Sequence, residues 1–214
     1  MQVSSSSVVI LGVDPGLAHT GWGVVEKRGD RYRALAYGCV ATTPDASIGQ
    51  RLKVIHDEML LVIDKFHPTE LGIESVFFGV NTRSAFATGQ ARGAALVACA
   101  SRDLDIGEYS PAQIKQVVTG TGTADKGQVT YMVRALLHLD HDPRPDHAAD
   151  ALAAAICQGT FSGIEAIEQA AGSGRLAHVS AGSSRSRRVE GASAAVTQPQ
   201  ESSCARPAGA GERA

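Results

Sequence analysis

No run in this chain approaches the roughly 18 consecutive apolar residues that a membrane-spanning helix needs. Residues Met1 to Ser7 are polar and serine-rich, without the basic-then-apolar order of a secretory leader, so the expected compartment is the cytoplasm. Cys39, Cys99, Cys157 and Cys204 lie far apart and form no C-x-x-C pair. The first three stand among apolar residues and read as reduced core side chains, which argues against a zinc site built on thiolates. A surplus of either charge is missing too: 20 Lys and Arg against 22 Asp and Glu leave a formal net charge of −2. A globally basic nucleic-acid binder is therefore not indicated, and any DNA contact must depend on local charge. A carboxylate site becomes much less negative once divalent cations occupy it.

What is present is enough apolar residue, 43% of 214 positions, for one sizeable core. Residues 1–7 read as a short extension and residues 8–163 as the folded domain. From 164 to 214, Ser, Ala, Gly, Arg and Glu dominate and large apolar residues nearly vanish, so a disordered tail is expected there. The basic run at Ser183 to Arg188 reads as a solvated segment of that tail, with phosphate contact as the other option.

The domain opens with an apolar strand, Val8 to Asp14, then a Pro15-Gly16 turn and a second strand from about Thr20 to Glu26. Gly29-Asp30 turns the chain into a third strand, Arg31 to Val40, and such close spacing indicates an antiparallel meander. Ile48, Leu52, Ile55, Met59, Val62 and Phe66 then recur at three- and four-residue steps, predicting an amphipathic helix capped by Ser47 and stopped by Pro68. A strand over Glu70 to Ser75, a small-residue helix over Thr82 to Ser101 and a strand near Ile106 to Tyr109 follow. Ser110-Pro111 starts a helix through Val118. Helices from about Asp125 to Leu139 and from Asp146 to about Gln158 complete an α/β domain, a mixed five-stranded sheet flanked by helices.

Four positions at element edges carry possible chemistry. Asp14 ends the first strand, and Glu74 ends the fourth inside the apolar LGIESVFF. His147 and Asp150 lie three apart near the start of the last helix and so share a face. A carboxylate closing an apolar strand is costly to bury without compensation, and oxygen ligands with waters left over suit Mg²⁺. Each residue also has a purely structural reading: Asp14 as a turn cap, Glu74 as an edge charge, His147 as a surface histidine, Asp146 as the helix N-cap. Residue spacing alone leaves both readings open.

ILGVDPGLAHTGWGVV, IESVFF, GQARG and HAADALAAAI, in this order from about Val8 to Gln158, resemble the RuvC family. The resemblance implies an RNase H-like fold and a homodimer that resolves four-way (Holliday) DNA junctions by symmetric, Mg²⁺-dependent hydrolysis in recombination and repair. It implies two Mg²⁺ ions per site, with Mn²⁺ as a substitute, and RuvA and RuvB branch-migration proteins as partners. It places the catalytic, metal-holding set on Asp14, Glu74, His147 and Asp150. His147 stands where many members carry Asp, and imidazole is a competent ligand in its neutral form. It places DNA contacts on Lys115, Lys126 and Phe77, the last as a base-stacking ring; core packing is the competing reading of Phe77. Arg83, Arg92 and Arg134 read equally as phosphate contacts or surface charges. The small residues of Ser84 to Ala100 suit either a symmetric helix–helix interface or close packing onto the helix's own sheet, and the resemblance favours the interface. Two other enzyme classes compete: an RNase H-like nuclease of RNA–DNA hybrids, and an actin-like ATPase, whose second phosphate loop and adenosine segment are not evident here.

Overall fold

The computed structural model describes residues 7–75 and 82–176. Five strands form one sheet: β1 (Ser7–Asp14), β2 (His19–Arg28), β3 (Arg31–Ala41), β4 (Glu70–Glu74) and β5 (Asp105–Tyr109), in the order β3-β2-β1-β4-β5. The first three pair antiparallel, and β4 and β5 add parallel to β1. This is the mixed sheet expected from the sequence. The β2–β3 turn requires a left-handed residue and has Gly29 there, at φ 59°.

Five helices flank the sheet: α1 (Ile48–Phe66), α2 (Thr82–Ala100), α3 (Pro111–Thr119), α4 (Lys126–Leu136) and α5 (Asp146–Leu176). The starts of α1, α3 and α4 are fixed locally, because Ser47, Ser110 and Asp125 each close a capping box with the glutamine three residues on. His67 ends α1 in the left-handed conformation, directly before Pro68.

The two faces of the sheet are packed differently. Leu11, Val13, Val24, Leu71 and Ile73 meet Ile55, Met59 and Ile63 of α1 and Ala91, Ala95 and Ala98 of α2. The opposite face carries α5, which comes close near its start because strand glycines face it there, while Ile10, Val25 and Tyr109 pack beside it. Gly23, Gly12, Gly72 and Gly107 are register partners in a row across β2, β1, β4 and β5. A Cβ on Gly12 would lie 1.9 Å from the Ala151 carbonyl oxygen, and one on Gly72 would lie 2.3 Å from that of Ala154. Side chains alternate between faces along a strand. Asp14 and Glu74, two residues beyond Gly12 and Gly72, therefore fall on the α5 face.

Three sequence expectations change here. The last helix, expected to end near Gln158, runs to Leu176, so the expected boundary at 163/164 falls inside it. Residues 164–171, IEAIEQAA, are good helix formers, and a long packed helix propagates into them without a new nucleus. The tail beyond Leu176 lies outside the described residues. Asp146 is not the N-cap of α5 but its first helical residue, with its carboxylate turned to two cations. The helix expected to reach Leu139 stops at Leu136, because His138 adopts a left-handed backbone at φ 53°.

Candidate active site

The site lies where β1 and β4 end beneath the first turns of α5. The shallow packing of α5 on β2 sets its depth: a Cβ on Gly21, the register partner of Asp14, would be 2.0 Å from the His147 carbonyl oxygen. This holds the start of α5 directly beside the end of β1. His147 Nδ1 and Asp14 Oδ2 are 2.7 Å apart, a hydrogen bond between residues 133 apart in sequence. One potential ligand atom each from Asp14, His147 and Asp150 lies within 4.8 Å of the others. The ring of His19, at the start of β2, stacks on His147 with centroids 5.6 Å apart and planes inclined by 7°. His19 did not stand out in the sequence. Its lone position in a Pro-Gly turn region carries no periodic signal, and only the fold brings the rings together.

Glu74 approaches from the other side. It lines a cleft of about 260 Å³ with Lys115, Lys126, Asp150, Ile114 and Val129. Burial, reinforced by the nearby charges of Asp14 and Asp150, pushes its carboxyl pKa up to about 7 against the pull of Lys115. Burial also raises Asp14, although its hydrogen bond with His147 opposes the shift and the Asp150 charge adds to it. Carboxylates crowded so closely and partly dehydrated cost free energy unless a cation joins them. The donor set therefore fits a divalent ion, with the carboxylates as hard oxygen ligands and the imidazole as a nitrogen ligand. His147 and Asp14 are joined by a hydrogen bond and, with Asp150, are the residues that would hold such an ion.

Lys126 begins α4 and reaches over the cleft, 3.3 Å from Asp150 and 3.4 Å from Asp146. Burial works against its ammonium, but the Asp150 and Asp146 carboxylates outweigh it and hold the pKa above the ordinary lysine range. Asp14, Glu74, His147, Asp150, Lys115 and Lys126 are thus brought to one place. Phe77 lies outside the described residues, as does the side chain of Arg83. Arg92 proves to be a tie within the fold: its guanidinium donates to the Glu74 carbonyl oxygen at 3.3 Å and pairs with Glu108, leaving the side chain only 17% exposed. Arg134 pairs with Asp142 at 3.2 Å and stacks over Tyr131, away from the cleft.

A sheet of this order, with carboxylates ending its first and fourth strands and a His/Asp pair from the last helix above them, defines the RNase H-like nuclease class. The family model for "Crossover junction endodeoxyribonuclease RuvC" matches residues 10–158, which span this whole site. The chain belongs to the RuvC family. It is 45% identical over 155 residues to the RuvC of Desulforamulus reducens, covering 72% of this chain and 95% of that one. It is 47% identical over 152 residues to the RuvC of Halothermothrix orenii, covering 71% and 92%. A solved structure of Thermus thermophilus RuvC in complex with Holliday junction substrate superposes with a TM-score of 0.70 at 37% identity, covering 74% of this chain and 96% of that one.

Proposed function

We infer that this chain is a structure-selective endodeoxyribonuclease that resolves four-way (Holliday) DNA junctions in recombination and repair, leaving nicked duplexes. The observation that carries the reading is the convergence of Asp14, His147 and Asp150 at the strand ends, with Glu74 beside them, in a chain of the RuvC family. Asp14, Glu74, His147 and Asp150 would hold two Mg²⁺ ions, with Mn²⁺ as a substitute. Bound there, such ions stabilise the attacking and leaving oxygens of a phosphodiester.

The chain's own groups divide the remaining work. Asp14 orients His147 through its hydrogen bond, and the His19 ring restricts the imidazole from turning away. Glu74, with a pKa of about 7, gives up its proton when cations enter. Lys115 and Lys126 at the cleft rim hold the DNA backbone electrostatically, which positions the substrate without reading its sequence.

The enzyme works as a homodimer joined through α2. Phe86 and Val97 on that helix are exposed apolar side chains, and a Cβ added at Gly89 or Gly93 would meet nothing within 4 Å, so a second helix could approach closely there. A cytoplasmic enzyme acting with RuvA and RuvB completes the reading, and among the described residues no helix is long and apolar enough to cross a membrane. Cleavage of a synthetic four-way junction, a linear duplex and an RNA–DNA hybrid, each with Mg²⁺, tests it. Selective, paired incisions in the junction are expected. Preferred cutting of the hybrid would overturn the substrate assignment.

A further inference from the structure

Beyond the Lys115 and Lys126 rim lies a third, largely exposed cation. Arg144, in the loop before α5, leaves 78% of its side chain exposed. It touches Asp146 at 3.4 Å through one carboxylate oxygen, while Lys126 reaches the other oxygen of the same carboxylate at 3.4 Å. Asp146 is therefore a spacer between two cations. Lys126 leans from it toward Asp150, on the Glu74 side of the site. Arg144 leans the other way and, with His19, Pro145, Asp146 and His147, lines an open cleft on the Asp14–His147 side.

Both contacts to Asp146 are long and solvent-exposed, so each is weak and readily exchanged for a stronger partner. A guanidinium offers planar, paired donors that match phosphate oxygens, which makes phosphate the better partner. Each cation lies 3.4 Å from a different oxygen of one carboxylate, so the two stand near enough to meet neighbouring phosphates of one strand. The open cleft leaves room for a backbone to pass the site and continue over His19.

We propose that Arg144 binds the phosphate adjacent to the scissile one, on the side opposite Lys126, so that the two cations grip consecutive linkages of the strand being cut. The inference rests on reading the chain as a junction nuclease with Lys126 at the DNA backbone.

The test uses the full chain with Arg144→Gln and Arg144→Lys, and a four-way junction bearing single uncharged methylphosphonate linkages on either side of the cleavage position. For Arg144→Gln, the slope of log affinity against log salt should fall by about one, and affinity should drop several-fold. Arg144→Lys should restore the slope. Mn²⁺ binding by the free protein should change by less than about twofold, since the guanidinium is exposed and screened. One methylphosphonate neighbouring the scissile linkage should weaken the wild type as much as Arg144→Gln does, and weaken Arg144→Gln no further. An unchanged salt slope, or methylphosphonate losses that simply add to the Arg144→Gln loss at every position, would overturn the assignment. A wild-type protein that binds and cuts no four-way junction would overturn the junction reading itself, and the two failures are distinguishable.

Discussion

The two faces of the sheet are built on opposite principles. On the α1 and α2 face, large aliphatic side chains such as Leu11, Val13, Ile55, Met59 and Ile73 interlock, and the helices stand off by the thickness of those groups. On the α5 face, a row of glycines lets the helix backbone rest against the strands, with Ala148, Ala151, Ala154 and Ala155 buried along it. The first face supplies bulk burial, which tolerates repacking. The second supplies position. Asp14, Glu74, His147 and Asp150 all depend on it, so small changes there should cost function before they cost much stability.

The largest effect should come from the site that the α5 face serves. Asp14→Asn or Glu74→Gln should abolish cleavage while junction binding persists, because phosphate contacts and metal chemistry reside in different groups. A gel shift beside a cleavage assay checks this, and undiminished cutting by either variant would remove that residue from the site.

The comparison is sharpest in a matched pair. Gly12→Ala forces a Cβ against the Ala151 carbonyl oxygen, a backbone atom that cannot rotate away. It should cost about 1–3 kcal/mol and shift α5, with cleavage falling by more than about tenfold, since a displacement of about 1 Å in a catalytic constellation can cost about a hundredfold. Ile55→Ala, on the other face, should cost about 2–5 kcal/mol yet leave cleavage near wild type at temperatures where the variant stays folded. Comparable activity losses from the two would show that the faces are equivalent.

A subtler effect concerns the electrostatic cost of the site itself. Glu74 titrates at about 7 in the folded protein, above the ordinary 4.5 for its carboxyl. Between those values the unfolded chain releases its proton while the folded chain keeps it. Without metal, stability therefore falls as pH rises through that window, and the full penalty applies above about pH 7. Discounted for partial exposure, it amounts to about 1–2 kcal/mol. Glu74→Gln should melt a few degrees higher than wild type at pH 8 in a chelator, and the difference should vanish toward pH 4. Added Mg²⁺ should reverse the order, because only the carboxylate gains a ligand bond. Identical melts at pH 8 would mean that Glu74 is not strained in the metal-free fold.

The smallest expected effects are at the rim. Lys115→Ala and Lys126→Ala should each reduce the salt slope of junction binding by about one without lowering the melting temperature. A fall in melting temperature at either position would indicate a structural role.

Much of this was legible in the chain. The closely spaced strands with their turn signals, the period-3.6 helix over Ile48–Phe66 and the Ser47 and Ser110 caps are short-range signals, and the structure follows them closely. Asp14 and Glu74 could be singled out because each ends an apolar strand, and His147 and Asp150 because three residues along a helix return to one face. The family's motifs supplied the order of these parts. The RuvC family model covers the same stretch. Other features were not legible, for identifiable reasons. Asp146 reads as an N-cap until its cation partners are seen, Arg92 reads equally as a phosphate contact or a surface charge until its bond to the Glu74 carbonyl is known, and α5 outlasts the composition change that suggested its end.

Local periodicity and capping were set by the sequence alone, since both depend on residues a few positions apart. Convergence belonged to the tertiary structure. The pairing of β1 with β4 and the seating of α5 on Gly12, Gly21, Gly72 and Gly107 bring His147 to 2.7 Å from Asp14. The Arg144–Asp146–Lys126 chain likewise exists only once α4 and the start of α5 are packed side by side. Glycine in a strand signals weak local structure when read along the chain. Only when four strands align their glycines does it become a floor for a helix, because close approach is a property of two surfaces and not of either one.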